Sequence, residues 1–230
     1  MNHKLTIYHG SQFQIKKPYF GGGKKNNDFG YGFYCTENIE LAKEWSVASI
    51  QDGIVNEYEL NTEYLNFLYL NSKEYTILNW IAILVEHRLF NINNPIAARA
   101  RNYLIENFSV NVNAFDVIVG YRADDSYFDY AESFLNNAIT VEQLSKAMQL
   151  GKLGEQIVIK SQLAFENLKF KGFETVDCNE YYSKKNNRMI AANSQYTKVL
   201  EEETDGLFIQ DIIRGGITNN DPRIPRNISQ

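Results

Sequence analysis

Hydrophobic and polar positions along the chain alternate between two periods. Leu5-Thr6-Ile7-Tyr8 reads as a short strand, and Ile39, Ala42, Trp45 and Ser49 then recur at the spacing of one helix face. Ile54 to Leu60 returns to the strand pattern. Between Ser72 and Phe90, Ile77, Ile81, Leu84 and Leu89 share a helical face, and Asn94-Pro95 opens a second helix reaching about Phe108. Proline suits that first turn because the N–H it lacks would have no partner there. The pair predicts a helical hairpin inserted over about 72–110. Ala114 to Gly120 reads as a short apolar strand. Asp125 to Leu135 reads as a helix with Phe128, Ala131 and Leu135 inward, and Asp124 and Asp125 as its N-cap pair. Thr140-Val141-Glu142-Gln143 has the spacing of a capping box, in which hydroxyl and amide satisfy each other's backbone groups, and Gly151 supplies the stop. Glu155 to Lys160 reads as a buried strand, Leu168 to Phe173 as a weaker one, and Asn179 to Leu200 as mostly helix. The stretch 216–230, with Pro222 and Pro225, reads as a flexible tail. Strands and helices mixed in this way predict an α+β fold.

Composition narrows the class. A chain of 230 residues with 44% hydrophobic content buries a full core without staples, which suits one domain with an insertion, placed over 1–215, or at most two small ones. Cys35 and Cys178 are too few for a disulfide framework and lack metal-ligand spacing, which predicts a reducing, cytoplasmic setting and no metal. Met1-Asn2-His3-Lys4 passes straight into a strand without the pattern of a signal peptide, and no apolar run approaches membrane-spanning length. A net charge of −5 argues against wrapping a long polyanion. Two local basic clusters, Lys16, Lys17, Lys24, Lys25 and Lys184, Lys185, Arg188, leave room for a small anionic ligand.

Two strings carry most of the chemical information. Tyr8-His9-Gly10-Ser11 sets an imidazole, a bare backbone and a hydroxyl at the end of a strand, and Gly32-Phe33-Tyr34-Cys35-Thr36 ends a loop rich in glycine, lysine and asparagine. Alone, Tyr34 is one of 15 tyrosines and most simply a packing residue, and a single histidine at a strand end is most simply structural. Gly21-Gly22-Gly23 lacks the strand, helix start and spacing of a phosphate loop. No histidine is placed by sequence to activate Cys35.

Taken with Asp28-Phe29-Gly30-Tyr31 before the second string and Ala42 and Trp45 after it, these motifs resemble the donor site of ADP-ribosyltransferases. Among those, they are similar to the diphtheria-toxin and poly(ADP-ribose) polymerase class with its His, Tyr, Glu signature. Asp116 to Gly120, Ala123-Asp124-Asp125 and Gly151 to Val158 further resemble a bacterial family catalogued as domain of unknown function 3990 and grouped with these enzymes. The resemblance implies a split β-sheet core with the helical hairpin inserted and a helical C-terminal region. It implies NAD as donor, no metal, and one ADP-ribose unit transferred to a protein or nucleic-acid acceptor. His9 and Ser11 would hold the dinucleotide through the adenine-side ribose, Gly10 would meet the carboxamide, Tyr34 would stack on nicotinamide, and Thr36 completes the motif. Lys24 and Lys25 on a glycine-rich lid would meet the pyrophosphate. Glu155 would stabilise positive charge on the ribose, at a cost of about 10²-fold or more on removal. Gln156, on the opposite face of the same strand, competes with it for that role. Bacterial relatives imply a toxin, antiphage or regulatory effector restrained by an antitoxin protein. An NAD glycohydrolase, an RNA 2′-phosphotransferase and a non-catalytic NAD or ADP-ribose-binding module stand as alternatives, the phosphotransferase disfavoured by the acidic pI of about 5.3.

Overall fold

Two small sheets face each other across an apolar layer in the structure, a computed structural model that describes residues 3–90, 92, 94–123, 125–150 and 154–227, with residues 125 and 126 as backbone only. The first sheet is antiparallel, with strand order β1 (Lys4–Ser11), β3 (Gly53–Asn61), β7 (Leu168–Val176). The second runs β2 (Phe33–Cys35), β6 (Glu155–Ile159), β5 (Val117–Tyr121), β4 (Phe67–Tyr69), with only β4 and β5 parallel. Tyr8 and Thr36 join the two by exchanging backbone hydrogen bonds of 2.8 and 2.9 Å. The fold is therefore mixed α+β.

Strand parity explains how the second sheet serves two cores. Ile7, Tyr58 and Leu60 of the first sheet meet Phe33, Cys35, Val117, Val119, Ile157 and Ile159 of the second. Ile118 and Val158, one residue out of phase, point to the helical layer on the other side. A strand buried on both faces loses its polar alternation, which is why β5 and β6 read as continuous apolar runs. Parity also sends Tyr34 and Gln156 toward the helical side, with Val158, which pairs with Tyr34 across the ladder.

The helical layer centres on α2 (Ile77–His87), whose residues from Ile77 to Val85 are all buried. Its partner α3 (Pro95–Phe108) starts at Asn94, whose side chain accepts from Ala97 N at 2.8 Å. The expected helix pair is present, but α2 is a core helix enclosed on every side. The one-face reading overlooked this because its other faces are apolar too, and Leu89, placed on that face, lies beyond the helix and is 79% exposed. Around this layer pack α4 (Asp125–Leu135), α5 (Val141–Ala147), α7 (Cys178–Glu201) and α8 (Ile209–Arg214), while the short α6 (Gln162–Glu166) connects β6 to β7. The capping box at Thr140 forms as expected. Asp124 and the stop at Gly151 lie outside the described residues.

Several boundaries shift. β1 runs on through His9, Gly10 and Ser11, and β7 extends to Val176. The chain enters β5 at Val117, after a 3₁₀ turn at Val112–Ala114. In α1 (Ile39–Ser46) the buried side chains are Leu41, Ala42, Glu44 and Ser46, while Ser49 is exposed beyond the helix. Phe128 is only partly buried, stacking on Phe90 at 4.3 Å. The segment expected as a flexible tail is laid onto the core over 216–227. Ile217 and Ile224 are buried, Tyr103 Oη donates to Ile217 O at 3.0 Å, and Asn227 Nδ2 donates to Leu70 O at 2.7 Å. Its two prolines obscured the spaced isoleucines that anchor it.

Candidate functional site

The end of β1, the start of β2 and the head of β6 converge on one cavity of about 610 Å³, within the range of small-molecule sites. Gly10 makes this convergence feasible. A Cβ there would collide with the carbonyl oxygen of Ala42 and lie 2.9 Å from Ser46 N, so only glycine lets α1 lie directly on β1. The helix is started by Asn38, whose side chain accepts from Glu40 N at 3.0 Å and Leu41 N at 3.3 Å. Seated this way, α1 presents Trp45 to the cavity. The indole N–H of Trp45 is buried and has no hydrogen-bond partner among the described residues, and the Arg122 guanidinium lies 4.3 Å from its ring.

His9 is fixed on two sides. Its Nδ1 lies 2.7 Å from the Tyr34 carbonyl oxygen, and its ring stacks on Phe33 at 4.3 Å. Because a carbonyl only accepts, Nδ1 carries the proton. Burial lowers the His9 pKa against the opposing effect of that backbone bond, which keeps the ring neutral. Nε2 is then an acceptor, the form that receives a ligand hydroxyl.

Tyr34 spends its hydroxyl on the neighbouring loop, donating to Gly30 O at 2.7 Å and accepting from Phe29 N at 3.0 Å. Burial raises its pKa, so the phenol stays protonated and its ring is what the cavity receives. Gly30 takes a left-handed φ of +72° against the His87 ring. Lys160 Nζ clamps the same loop by donating to Phe29 O at 2.8 Å and Tyr31 O at 2.7 Å, its pKa brought down to about 8 by burial.

Among the described residues lining the cavity, the carboxylate is Asp28. It is 6% exposed, and its Oδ2 accepts from Ala123 N and Gln156 Nε2, each at 2.9 Å. Arg88 Nη1 stands 3.7 Å from Oδ1. Burial raises the Asp28 pKa, opposed by those hydrogen bonds and by the charges of Arg88 and Arg122. Gln156 also donates to Tyr121 O at 2.8 Å. With both amide hydrogens engaged, its orientation is determined and its remaining polar atom is the acceptor Oε1.

Among the residues expected from sequence, the cavity is lined by His9, Gly10, Lys24 and Tyr34, and by Gln156 rather than Glu155. Glu155 is exposed and accepts from Asn71 Nδ2 at 2.6 Å, with Glu37 close enough to feel its charge. Parity along β6 turns it to the opposite face from Gln156, so of the two candidates for the third motif position Gln156 is the one that lines the cavity. Ser11 Oγ donates to Phe13 O and accepts from Asn56 Nδ2, and Thr36 Oγ1 accepts from Asn38 N; neither lines the cavity, nor does Lys25. Sequence reading missed Asp28, Trp45, Arg88 and Arg122 as site residues, although Asp28 and Trp45 stood inside the quoted motifs. Arg88 and Arg122 carried no motif signal. Cys35 is fully buried, and burial raises its thiol pKa well above the usual value, so it is no nucleophile. Asp52, Asp177 and Cys178 cluster elsewhere, where both carboxylates accept from backbone N–H groups at the start of α7.

The family model described as "Protein of unknown function (DUF3990)" matches residues 5–170. The chain belongs to the DUF3990 family. No curated protein and no solved structure matches it. All residues lining the cavity fall between His9 and Phe165, inside the matched span, whereas α7 and α8 of this DUF3990 chain lie outside it. Among the described residues, no helix is long and apolar enough to cross a membrane.

Proposed function

We propose that this DUF3990 protein is an NAD-dependent mono-ADP-ribosyltransferase, with His9, Tyr34 and Gln156 gripping the donor. The observation that carries the reading is the meeting of three motif segments, more than a hundred residues apart at the extremes, around one cavity. Each offers the group a dinucleotide needs. The neutral His9 accepts a ribose hydroxyl through Nε2, the Tyr34 ring stacks on a flat heterocycle, and Lys17, Lys24, Arg88 and Arg122 supply positive charge for the pyrophosphate.

Breaking the nicotinamide–ribose bond leaves positive charge on the sugar, so groups that stabilise that charge accelerate the step. Gln156 carries no charge of its own, but its N–H donates to the Asp28 carboxylate. That hydrogen bond polarises the amide and raises electron density on Oε1, the atom available to the nicotinamide ribose. Asp28 is thereby a positioning residue acting through Gln156. The acceptor oxygen or nitrogen of a macromolecule attacks the ribose carbon as nicotinamide leaves with the bonding pair. Purified protein incubated with NAD labelled on the adenylate and a bacterial lysate should leave label on a macromolecule, and Gln156→Ala should remove at least 90% of it. Label transfer that survives Gln156→Ala refutes the assignment.

The amide at the third position favours a second reading, a module that binds NAD or ADP-ribose without cleaving it. Saturable NAD binding with no nicotinamide release in the presence of lysate selects that reading over the first.

A further inference from the structure

We infer that the loop over the cavity mouth is a docking platform for an unpaired polynucleotide, which makes a nucleic-acid strand the acceptor class of the proposed transferase. This rests on that functional reading for the word acceptor, but the docking itself stands on separate observations. Between Gln12 and Asn27 the chain carries Lys16, Lys17, Lys24 and Lys25 and no acidic residue, within a protein of net charge −5. All four are exposed, and among the described residues none is held in an ion pair. The other basic cluster is different in kind: Arg188 is bound to Glu44 at 2.6 Å and Lys184 to Glu180 at 2.6 Å, so two of its three charges are already matched by carboxylates.

The same loop holds its aromatic side chains out to solvent. Tyr19 is 71%, Phe20 57% and Tyr31 51% exposed, an arrangement that costs hydration without a partner. Two of the three rings are braced, and the backbone of the third is held. The Tyr19 ring lies over Gly22, where a Cβ would approach it to 2.8 Å, and Phe20 meets Phe165 edge-on at 6.1 Å. Tyr31 is held at its carbonyl by Lys160. Gly23 packs so closely on Gly32 that a Cβ would come 2.5 Å from the Gly32 carbonyl oxygen, which sets the 19–25 arm beside Tyr31. Tyr19 and Lys24 also line the cavity, so the platform and the donor site share an edge.

Cations interleaved with rigid, exposed π-faces match the recognition of single strands, whose bases stack on aromatic side chains while the backbone follows the positive charge. Pre-bracing the rings lowers the entropy cost of stacking. A duplex hides its base faces and does not use such a surface, and the acidic remainder of the protein limits the contact to a few nucleotides.

Fluorescence anisotropy with labelled, unstructured DNA and RNA oligonucleotides of about 10 nucleotides, measured on the full chain without NAD, tests this. We expect binding that falls with salt at a log–log slope of about −2 to −3, the value for three to four lysines on a single strand. Lys16→Glu with Lys25→Glu should weaken it at least tenfold and flatten the slope, and Phe20→Ala with Tyr31→Ala should weaken it at least fivefold at an unchanged slope. These side chains are exposed, and an unchanged thermal midpoint verifies folding. Equal affinity for a duplex of the same length, no binding, insensitivity to either pair of substitutions, or preference for anionic phosphatidylserine vesicles or polyglutamate overturns the proposal. Nicotinamide release, assayed separately, reports on the transferase reading. Strand binding without NAD cleavage rejects only that reading, whereas transfer to protein by a chain that binds no strand rejects only this one.

Discussion

Protonating His9 would turn its Nε2 from an acceptor into a donor, so the proposed ligand contact there is expected to weaken in acid. Burial holds its pKa below 6.5, and the unfolded chain therefore takes up this proton first as the solution is acidified. Stability is retained above pH 6.5 and falls as pH drops through 6.5 toward the folded value. His87, lowered mainly by burial, adds in the same direction. Asp28 has the opposite sign. Its raised folded pKa makes its contribution decline as pH rises from its unfolded value near 3.8. Urea denaturation at pH 7.5 and 5.5 should show a loss at the lower pH that shrinks in His9→Gln; an unchanged loss would remove His9 from the account. At the same scale, Gln156→Ala strips Asp28 of a donor inside a buried site and should cost about 1–3 kcal/mol of stability. Glu155→Ala changes an exposed residue and should stay within about 0.5 kcal/mol. The two are neighbours in sequence, and their alternation was legible there. Which face held the cavity was not, because β6 has a core on each side and only the arrangement of β2 and the Asp28 loop distinguishes them.

At the level of elements, the close approach of α1 to β1 sets the geometry of the cavity wall. Gly10→Ala forces the helix outward and should lower stability by about 1–3 kcal/mol or more, with loss of ligand binding as Trp45 moves. Thermal unfolding of the variant checks this, and an unchanged midpoint contradicts it. Asn94-Pro95 and Thr140 to Gln143 were readable because capping chemistry is local. The enclosed position of α2 was not, since a helix apolar on all faces gives no direction. Gly10 was noted in its motif, but its contact is with the backbone of a helix more than thirty residues away, which no local pattern encodes.

For the molecule as a whole, the mixed α+β class followed from alternating periods, and the family followed from residues 5–170. The C-terminal segment followed from neither. Ile217, Ile224 and Asn227 tie it to the helical layer and to the turn after β4, contacts that depend on surfaces formed earlier in the chain. Deleting residues 216–230 should therefore lower the unfolding midpoint by several degrees or more, consistent with about 3–6 kcal/mol for two buried isoleucines. A truncated chain with an unchanged midpoint would show that the segment does not contribute. The most direct test of the central claim, one donor cavity built by His9, Tyr34 and Gln156, is calorimetric titration of NAD into the wild type, His9→Ala, Gln156→Ala and Glu155→Ala. Comparable affinity is expected for the wild type and Glu155→Ala, with a loss of at least tenfold in the other two. Absence of wild-type binding, or a loss confined to Glu155→Ala, would contradict it.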